Sequence, residues 1–288
     1  MDTTVFVLGL LNGISFGMVL FLLASGLSLI VGVMGILNLA HGALYMVGAY
    51  VGWHIAVKSG LDFGLAILAG GLVAGLLGLV LERGFLRHLY KQLNEQVLLT
   101  FGFIYILTNL VQWVWGPVYR AAFTAPFLSG SFFIMDRSYP TARIATIIIG
   151  LILAAGLWWL QDKTRVGAIV RAGMDNAEIT IALGINLRRV STAVFFLGAF
   201  IAGTAGVIGA QLLGAYTALG IDILLLALVV LIVGGVGSIQ GALLGSILIG
   251  TIDAFGKALF PELARFTIYL AMITILVIRP WGLLGRKP

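Results

Sequence analysis

The sequence lacks cysteine, and charged residues make up only 10% of its 288 positions. Without cysteine the chain can form neither a disulfide nor a thiolate metal site. Hydrophobic residues account for 61% of the chain and the mean hydropathy is +1.13, values typical of a polytopic membrane protein. We therefore predict an all-α integral membrane protein whose residues 1–288 form one transmembrane domain.

Motifs for catalysis and cofactor binding are also missing. Residues 250–257 resemble a phosphate-binding loop, but five residues separate the glycines and Ala258 stands where Ser or Thr is required. A hydrolase built on His41 would need a Gly-x-Ser-x-Gly turn between a strand and a helix, and the one match, Gly13-Ile-Ser15-Phe-Gly17, lies inside an apolar segment predicted to span the membrane. The net charge of +6 depends on the loops that carry it and does not indicate nucleic-acid binding. We predict a protein that is not an enzyme and holds no cofactor or metal.

Long apolar segments predict eight or nine membrane crossings. The first segment covers residues 4–33, and we interpret it as a retained span, not a cleaved signal peptide. A glycine-punctuated turn at 35–42 follows, and the later segments lie at about 43–57, 63–81, 97–115, 142–160, 192–213 and 266–278. Two short glycine-rich pieces, 221–236 and 238–255, are either full spans or a re-entrant pair.

The loops predict the orientation of the chain. The most basic loop covers about residues 161–190, and a proline-containing loop covers about 116–141. The side that carries the basic loop and the C-terminus also receives Lys91, Arg286 and Lys287, and it holds most of the 17 Lys and Arg residues. The positive-inside rule makes this side cytoplasmic and the 116–141 loop external, as expected for a multi-pass protein of a bacterial inner membrane.

The basic loop has the signals of a short helix. Asp175 is a suitable N-cap with Glu178 three residues later, a variant of the capping box, and Gly184 provides a stop. These signals predict a helix over about residues 176–183. Because two turns are too short to be stable alone in water, the helix needs a surface to lie against. The alternative is a solvated loop with an incidental helix.

Polar side chains at membrane depth are candidates for lining a solute path. They are Asn12, Ser15, Asn38, His41, Tyr45, Asn109 and Gln112. Asn38 and His41 rank first, because a broken helix exposes backbone groups where it lines a cavity. For each of these side chains a hydrogen bond between helices is the alternative.

Several segments carry a family resemblance. They are Asn12-Gly13-Ile-Ser-Phe-Gly17, Gly35-Ile-Leu-Asn38-Leu-Ala-His41-Gly42, Met46-Gly48-Ala-Tyr50, Arg171-Ala172, Gly184-Ile-Asn186, Gly234-Gly-Val-Gly237-Ser-Ile-Gln-Gly241-Ala and Arg279-Pro280-Trp-Gly282-Leu-Leu-Gly285-Arg. In this order they resemble the ABC permeases for branched-chain amino acids over nearly the whole chain. With no additional N-terminal extension, the resemblance is to the member usually paired with a second, related permease. Arg87-His88 departs from the Arg-Pro that is common in the first cytoplasmic loop of this family.

The resemblance implies partners and a role for the basic loop. The partners are a sister permease, two cytoplasmic ATP-binding subunits and an external solute-binding protein. A short cytoplasmic helix of such permeases sits in a groove of the ATPase, and the residues that match it here are Arg171, Asp175, Asn176, Glu178, Ile181 and Gly184. The implied solute is a branched-chain or other amino acid, although relatives for urea and short amides belong to the same family.

An ion-coupled secondary transporter is the alternative from a different class. Such a protein needs an ionisable side chain near mid-membrane to bind the driving ion. Glu82, Asp222 and Asp253 are the candidates, and all three lie near predicted span ends. Their positions favour the ABC permease.

We expect the purified polypeptide neither to bind nor to hydrolyse ATP, because it has no nucleotide-binding motif. The assembled complex should do both, as measured by nucleotide binding and phosphate release with and without the partner subunits. Uptake into vesicles that runs on an ion gradient with ATP absent would contradict the interpretation as an ABC permease.

Overall fold

The computed structural model describes residues 3–90 and 92–285, apart from the side chains of Met174, Ala177 and Arg265. Lys91, Arg286 and Lys287, which the orientation argument uses, lie outside the described residues. The helices are α1 (Thr3–Met34), α2 (His41–Trp53), α3 (Phe63–Gly84), α4 (Leu93–Trp115), α5 (Thr141–Lys163), α6 (Arg165–Asp175), α7 (Ala177–Ala182), α8 (Leu187–Leu213), α9 (Leu219–Gly234), α10 (Ile239–Leu259) and α11 (Ala264–Ile278).

Short elements complete the described fold. A π-helical turn, His54–Lys58, extends α2, and 3-10 turns cover Leu86–Leu89, Pro126–Leu128 and Pro261–Leu263. The loop between α4 and α5 contains an antiparallel hairpin of β1 (Ser131–Ile134) and β2 (Arg137–Pro140), in which Phe132 is paired with Tyr139. Hydropathy gave no signal for this hairpin.

Six of the described helices are long and apolar enough to cross a membrane: α1, α3, α4, α5, α8 and α10. The all-α polytopic class is therefore confirmed. Helix α9 and the apolar part of α11, Phe266–Ile278, are shorter. For residues 238–255 the full span is the alternative that fits, since α10 extends to Leu259 and is long and apolar enough to cross a membrane. The total of eight or nine crossings stays a prediction.

The long helices run between two sides of the molecule. Helix α5 starts directly after the hairpin and ends where α6 begins, so we call its two ends the hairpin side and the α6 side. Helices α1 and α10 are antiparallel, because Gly9 faces Phe255 while Gly17 faces Ser246. Helix α1 therefore starts on the hairpin side and α10 ends there.

Glycines at four-residue spacing mark where the helices touch, as their spacing predicts. Gly13 and Gly17 of α1 meet the backbone of α10, and Gly48 of α2 meets Gly203 of α8. Gly71 and Gly75 of α3 receive Phe200 and Phe196 of α8. Helix α8 thus contacts α1, α2 and α3, and the largest group of buried apolar side chains lies around it.

Helix α2 starts inside the molecule because α1 ends in a break. Gly35 has φ +64°, a conformation that favours glycine, and residues 35–40 lead back along α1. The imidazole Nε2 of His41 lies 3.1 Å from the carbonyl oxygen of Leu23, which places the start of α2 beside the middle of α1. The first turns of α2 and α9 meet there, with Gly42 against the carbonyl of Gly220.

We expect Gly48→Ala to lower the unfolding temperature in detergent. The added Cβ would lie 2.6 Å from Gly203 Cα, and relief of such overpacking costs about 1–3 kcal/mol. Gly102→Ala in α4 is the matched control, since nothing lies within 4 Å of its added Cβ, and it should leave the unfolding temperature equal or slightly raised. Equal unfolding temperatures for the two variants would show that α2 and α8 can separate without cost.

Candidate functional site

The first-ranked path candidates, Asn38 and His41, lie together with Tyr45 at the start of α2, and all three are fully buried. Asn38, His41 and Tyr45 each have 0% exposure. The side-chain oxygen of Asn38 accepts the backbone N–H of Ala40, which stabilises the turn before α2. Asn38 Nδ2, His41 Nδ1 and the Tyr45 hydroxyl have no hydrogen-bond partner among the described residues. The three side chains therefore have polar atoms without a hydrogen-bond partner among the described residues, although solvent does not reach them.

The other predicted path residues are spread over two regions. Asn109 lies on the exposed face of α4 and donates to the carbonyl of Tyr105 in its own helix, and Gln112 is half-buried one turn later. Asn12 and Ser15 lie near the start of α1, where both line a cavity on the hairpin side. The fold thus brings Asn12 and Ser15 together and keeps α4 apart from them.

The hairpin-side cavity has a volume of about 530 Å³ and lies between the ends of α1, α5, α8 and α10. Three cations and one carboxylate line it: Arg137, Arg143, Lys257 and Asp253. Apolar side chains, among them Val5, Leu8, Phe16 and Leu212, form the remaining wall. Such a cavity can hold a small solute that has both charged and apolar parts.

Hydrogen bonds and one ion pair fix the charged groups of this cavity. The Arg143 guanidinium donates to the side-chain oxygen of Asn12, which ties α5 to α1. Lys257 Nζ lies 2.6 Å from a carboxylate oxygen of Asp253 one turn earlier and 5.3 Å from the ring centre of Phe16. The Ser15 hydroxyl is buried and has no hydrogen-bond partner among the described residues. Arg143, Asp253 and Lys257 are therefore held in place before a solute enters.

Sequence reasoning missed Arg143 and Lys257 and considered Asp253 only as an ion-coupling site. A charge near the end of an apolar segment normally marks the membrane surface, so neither cation was distinguished from an ordinary flanking residue. The available signal was the four-residue spacing of Asp253 and Lys257, which places both on one face of a helix. Only the packing of α1 and α5 against α10 adds Asn12 and Arg143.

The basic loop holds two helices, not one. Residues 165–175 form α6, which sequence reasoning left as loop. Thr164 caps it by accepting from Gly167 N at 3.1 Å, and Arg171 donates to the carbonyl of Gln161 and lies 3.3 Å from Asp162. These contacts fix α6 to the end of α5.

The predicted short helix is present as α7, but its N-cap is Asn176 and not Asp175. The side-chain oxygen of Asn176 accepts Ile179 N at 3.0 Å, whereas Asp175 is the last residue of α6. The capping box is wrong for the same reason, since Glu178 lies two residues after this cap, not three. Gly184 has φ +82°, so the predicted stop is confirmed.

Helix α7 presents apolar side chains to the outside. Ile179, Ile181 and Leu183 are 58%, 58% and 74% exposed, while Thr180 is buried. A two-turn helix with this exposed face gains little stability from its own chain. The arrangement is suited to docking against another surface.

The comparisons with known proteins cover almost the whole chain. The family model for the permease component of branched-chain amino acid transport systems matches residues 9–276. The high-affinity branched-chain amino acid transport permease LivH of Salmonella typhimurium is 28% identical over 96% of this chain and 94% of its own length. BraD of Pseudomonas aeruginosa, with the same description, is 29% identical over 96% and 95%.

Two further matches are more distant. The ribose import permease RbsC of Escherichia coli is 29% identical over 82% of this chain and 71% of its own length. The solved structure of PsaBC from Streptococcus pneumoniae in complex with Fab has a TM-score of 0.51 at 13% identity and covers 93% of this chain and 89% of that one. This last likeness concerns the fold alone.

Proposed function

Because the chain belongs to the family of branched-chain amino acid transport permease components, we propose that it imports an amino acid through a bacterial inner membrane. It is a multi-pass, non-catalytic membrane subunit of an ABC importer. The match over residues 9–276 carries the proposal. The proposed partners are a sister permease, two ATP-binding subunits on the α6 side and a solute-binding protein on the hairpin side.

The hairpin-side cavity supports an amino acid as the solute. A free amino acid has a carboxylate and an ammonium group, and the cavity offers Arg143 and Lys257 to the first and Asp253 to the second. The apolar wall at Val5, Leu8 and Leu212 suits a hydrocarbon side chain. Ribose, urea and short amides carry no charge, so they can form hydrogen bonds but no ion pairs with these three groups. An amino acid therefore remains the favoured solute, despite the similarity to the ribose permease RbsC.

The exposed face of α7 supports the coupling role. Ile179 and Ile181 are available to an ATPase groove, and Arg171 fixes the preceding helix to α5. Movement of the docked α7 would then reach the end of α5 through α6. Helix α5 carries Arg143 at its other end, on the wall of the hairpin-side cavity. We propose that ATP-driven closure of the partner subunits changes the cavity by this route.

The secondary transporter is less well supported. Asp253 is paired with Lys257, and Asp222 accepts a hydrogen bond from Tyr216 at 2.9 Å. Glu82 is fully buried and accepts from the hydroxyls of Tyr90 and Thr192. All three carboxylates are engaged in contacts within the chain.

We expect Arg143→Gln and Asp253→Asn to reduce ATP-driven leucine uptake by reconstituted complexes about tenfold or more, because each removes one partner of a charged contact, worth about 1.5–3 kcal/mol. Arg143→Lys keeps the charge and should retain part of the uptake. Lys58 is an exposed cation at the end of the π-helical turn that follows α2, outside the cavity, so Lys58→Gln should leave uptake unchanged. Rates near wild type for both cavity variants, or faster wild-type uptake of ribose or urea than of leucine, would contradict the amino-acid site.

We expect Thr180→Pro to leave the protein folded but to uncouple ATP hydrolysis from uptake. Proline removes the N–H that bonds the carbonyl of Asn176 at 3.1 Å, and its cost inside a helix is about 3 kcal/mol.

Ala177→Pro is the matched control for this variant. It places proline at the first helical position, which needs no N–H, and the extended Asn176 before it tolerates proline. ATPase stimulation and uptake are measured in the same proteoliposomes. Normal coupling in Thr180→Pro would show that α7 is not the coupling element.

A further inference from the structure

Four arginines gather on the α6 side with no acidic residue among them. A cavity of about 620 Å³ lies between the end of α3 and the start of α8, and Arg83, Arg87, Arg188 and Arg189 line it. We call these four residues the arginine cluster. All are exposed, and none forms an ion pair with an acidic residue in the described ranges. Like charges held this close repel one another, so a bound anion would stabilise the arrangement.

Glu82, which precedes Arg83 in the chain, is not among the residues that line the arginine cavity. Glu82 has 0% exposure, and it accepts the Tyr90 hydroxyl at 2.7 Å and the Thr192 hydroxyl at 2.9 Å. Burial, together with the hydrogen bond to Glu82, raises the pKa of Tyr90, so its hydroxyl stays protonated and continues to donate. Glu82 therefore joins α3 to α8, and among the described residues it forms no ion pair with the four arginines.

An apolar cleft adjoins the arginine cluster. It has a volume of about 300 Å³ and lies between α5, α6 and α8, where its wall includes Leu157, Leu160, Val166, Ile169, Val170 and Val194. Arg189 and Ala193 line both this cleft and the arginine cavity. The two cavities therefore share part of their wall.

We propose that the arginine cluster and the apolar cleft together bind one anionic phospholipid. The guanidinium groups match a phosphate in shape and charge, and the cleft receives an acyl chain. Basic pockets between transmembrane helices are known sites for acidic headgroups. An acidic protein surface would satisfy the arginines but leave the cleft empty, which is why the lipid is favoured. The proposal is independent of the solute and of the role of α7.

The test compares binding of phosphatidylglycerol and phosphatidylcholine to the purified full chain by native mass spectrometry in detergent. The wild-type chain should retain phosphatidylglycerol in preference to phosphatidylcholine. Arg83→Gln combined with Arg189→Gln should weaken that binding on the order of tenfold, since each removes one cation near the phosphate. Lys163→Gln combined with Arg165→Gln removes two exposed cations outside both cavities and should bind phosphatidylglycerol as wild type does.

A second variant tests the acyl-chain half of the site without changing any charge. Val166 is 56% exposed on the wall of the cleft, so Val166→Trp should fill the cleft and weaken phosphatidylglycerol binding. Leu72→Trp, at a 48% exposed position of α3 outside both cavities, is its control. Equal binding by Val166→Trp and wild type would overturn the lipid assignment.

Two further outcomes separate the lipid from other anions. Displacement of phosphatidylglycerol by an equal concentration of inorganic phosphate would show a free-anion site and overturn the proposal. Loss of ATP-binding subunits from the double Arg→Gln variant, with phosphatidylglycerol binding intact, would reassign the arginine cluster to protein docking. Displacement only by phosphatidylglycerol analogues that carry acyl chains would support the lipid.

Discussion

Close backbone contact at glycines is the constraint on which the rest of this structure depends. Between helices in lipid there is no hydrophobic driving force, so packing must supply the attraction, and small residues let the backbones approach. Gly26 meets Gly198, Gly48 meets Gly203, and Gly13 meets Gly250. These contacts hold α1, α2, α8 and α10 together, and the positions of the cavities follow from them.

The same packing permits two breaks in the helical framework. Irregular backbone inside a membrane protein must find its hydrogen bonds within the protein. At residues 35–40 the Asn38 side chain accepts from Ala40. After α8, Ala215 and Arg120 exchange backbone hydrogen bonds of 2.8 and 2.9 Å. The breaks let the first turns of α2 and α9 meet in the interior, beside the buried His41.

The two sides of the molecule differ in chemistry. The hairpin side has a cavity in which both signs of charge are fixed, which suits recognition of a small charged solute. The α6 side has exposed apolar residues on α7, which suit docking to a larger surface, and the arginine cluster, which forms no ion pair among the described residues. Helices α1, α5, α8 and α10 connect the two sides. Thr164 caps α6, and Arg171 of α6 is paired with Asp162, so α6 is fixed to the end of α5.

The sequence by itself determined the all-α class, the approximate positions of the long helices and the stop at Gly184. These features depend on the length of apolar segments and on local backbone preferences, which a linear pattern contains. The turn at 35–42 was predictable for the same reason, whereas the four-residue spacing of glycines shows which helix faces can pack closely but not which helix each face meets. Asp175 and Asn176 are both good N-caps, so choosing between them required the backbone, which is helical at Asp175 and extended at Asn176.

Only the tertiary structure decided which polar residues meet. Asn12, Arg143 and Asp253 belong to three helices far apart in the chain, and the packing of α1 against α5 and α10 brings them to one cavity. The arginine cluster likewise consists of residues from the region of the end of α3 and from the start of α8, which are distant in the chain. Contacts between distant segments depend on how the helices pack, and helical periodicity does not encode that packing.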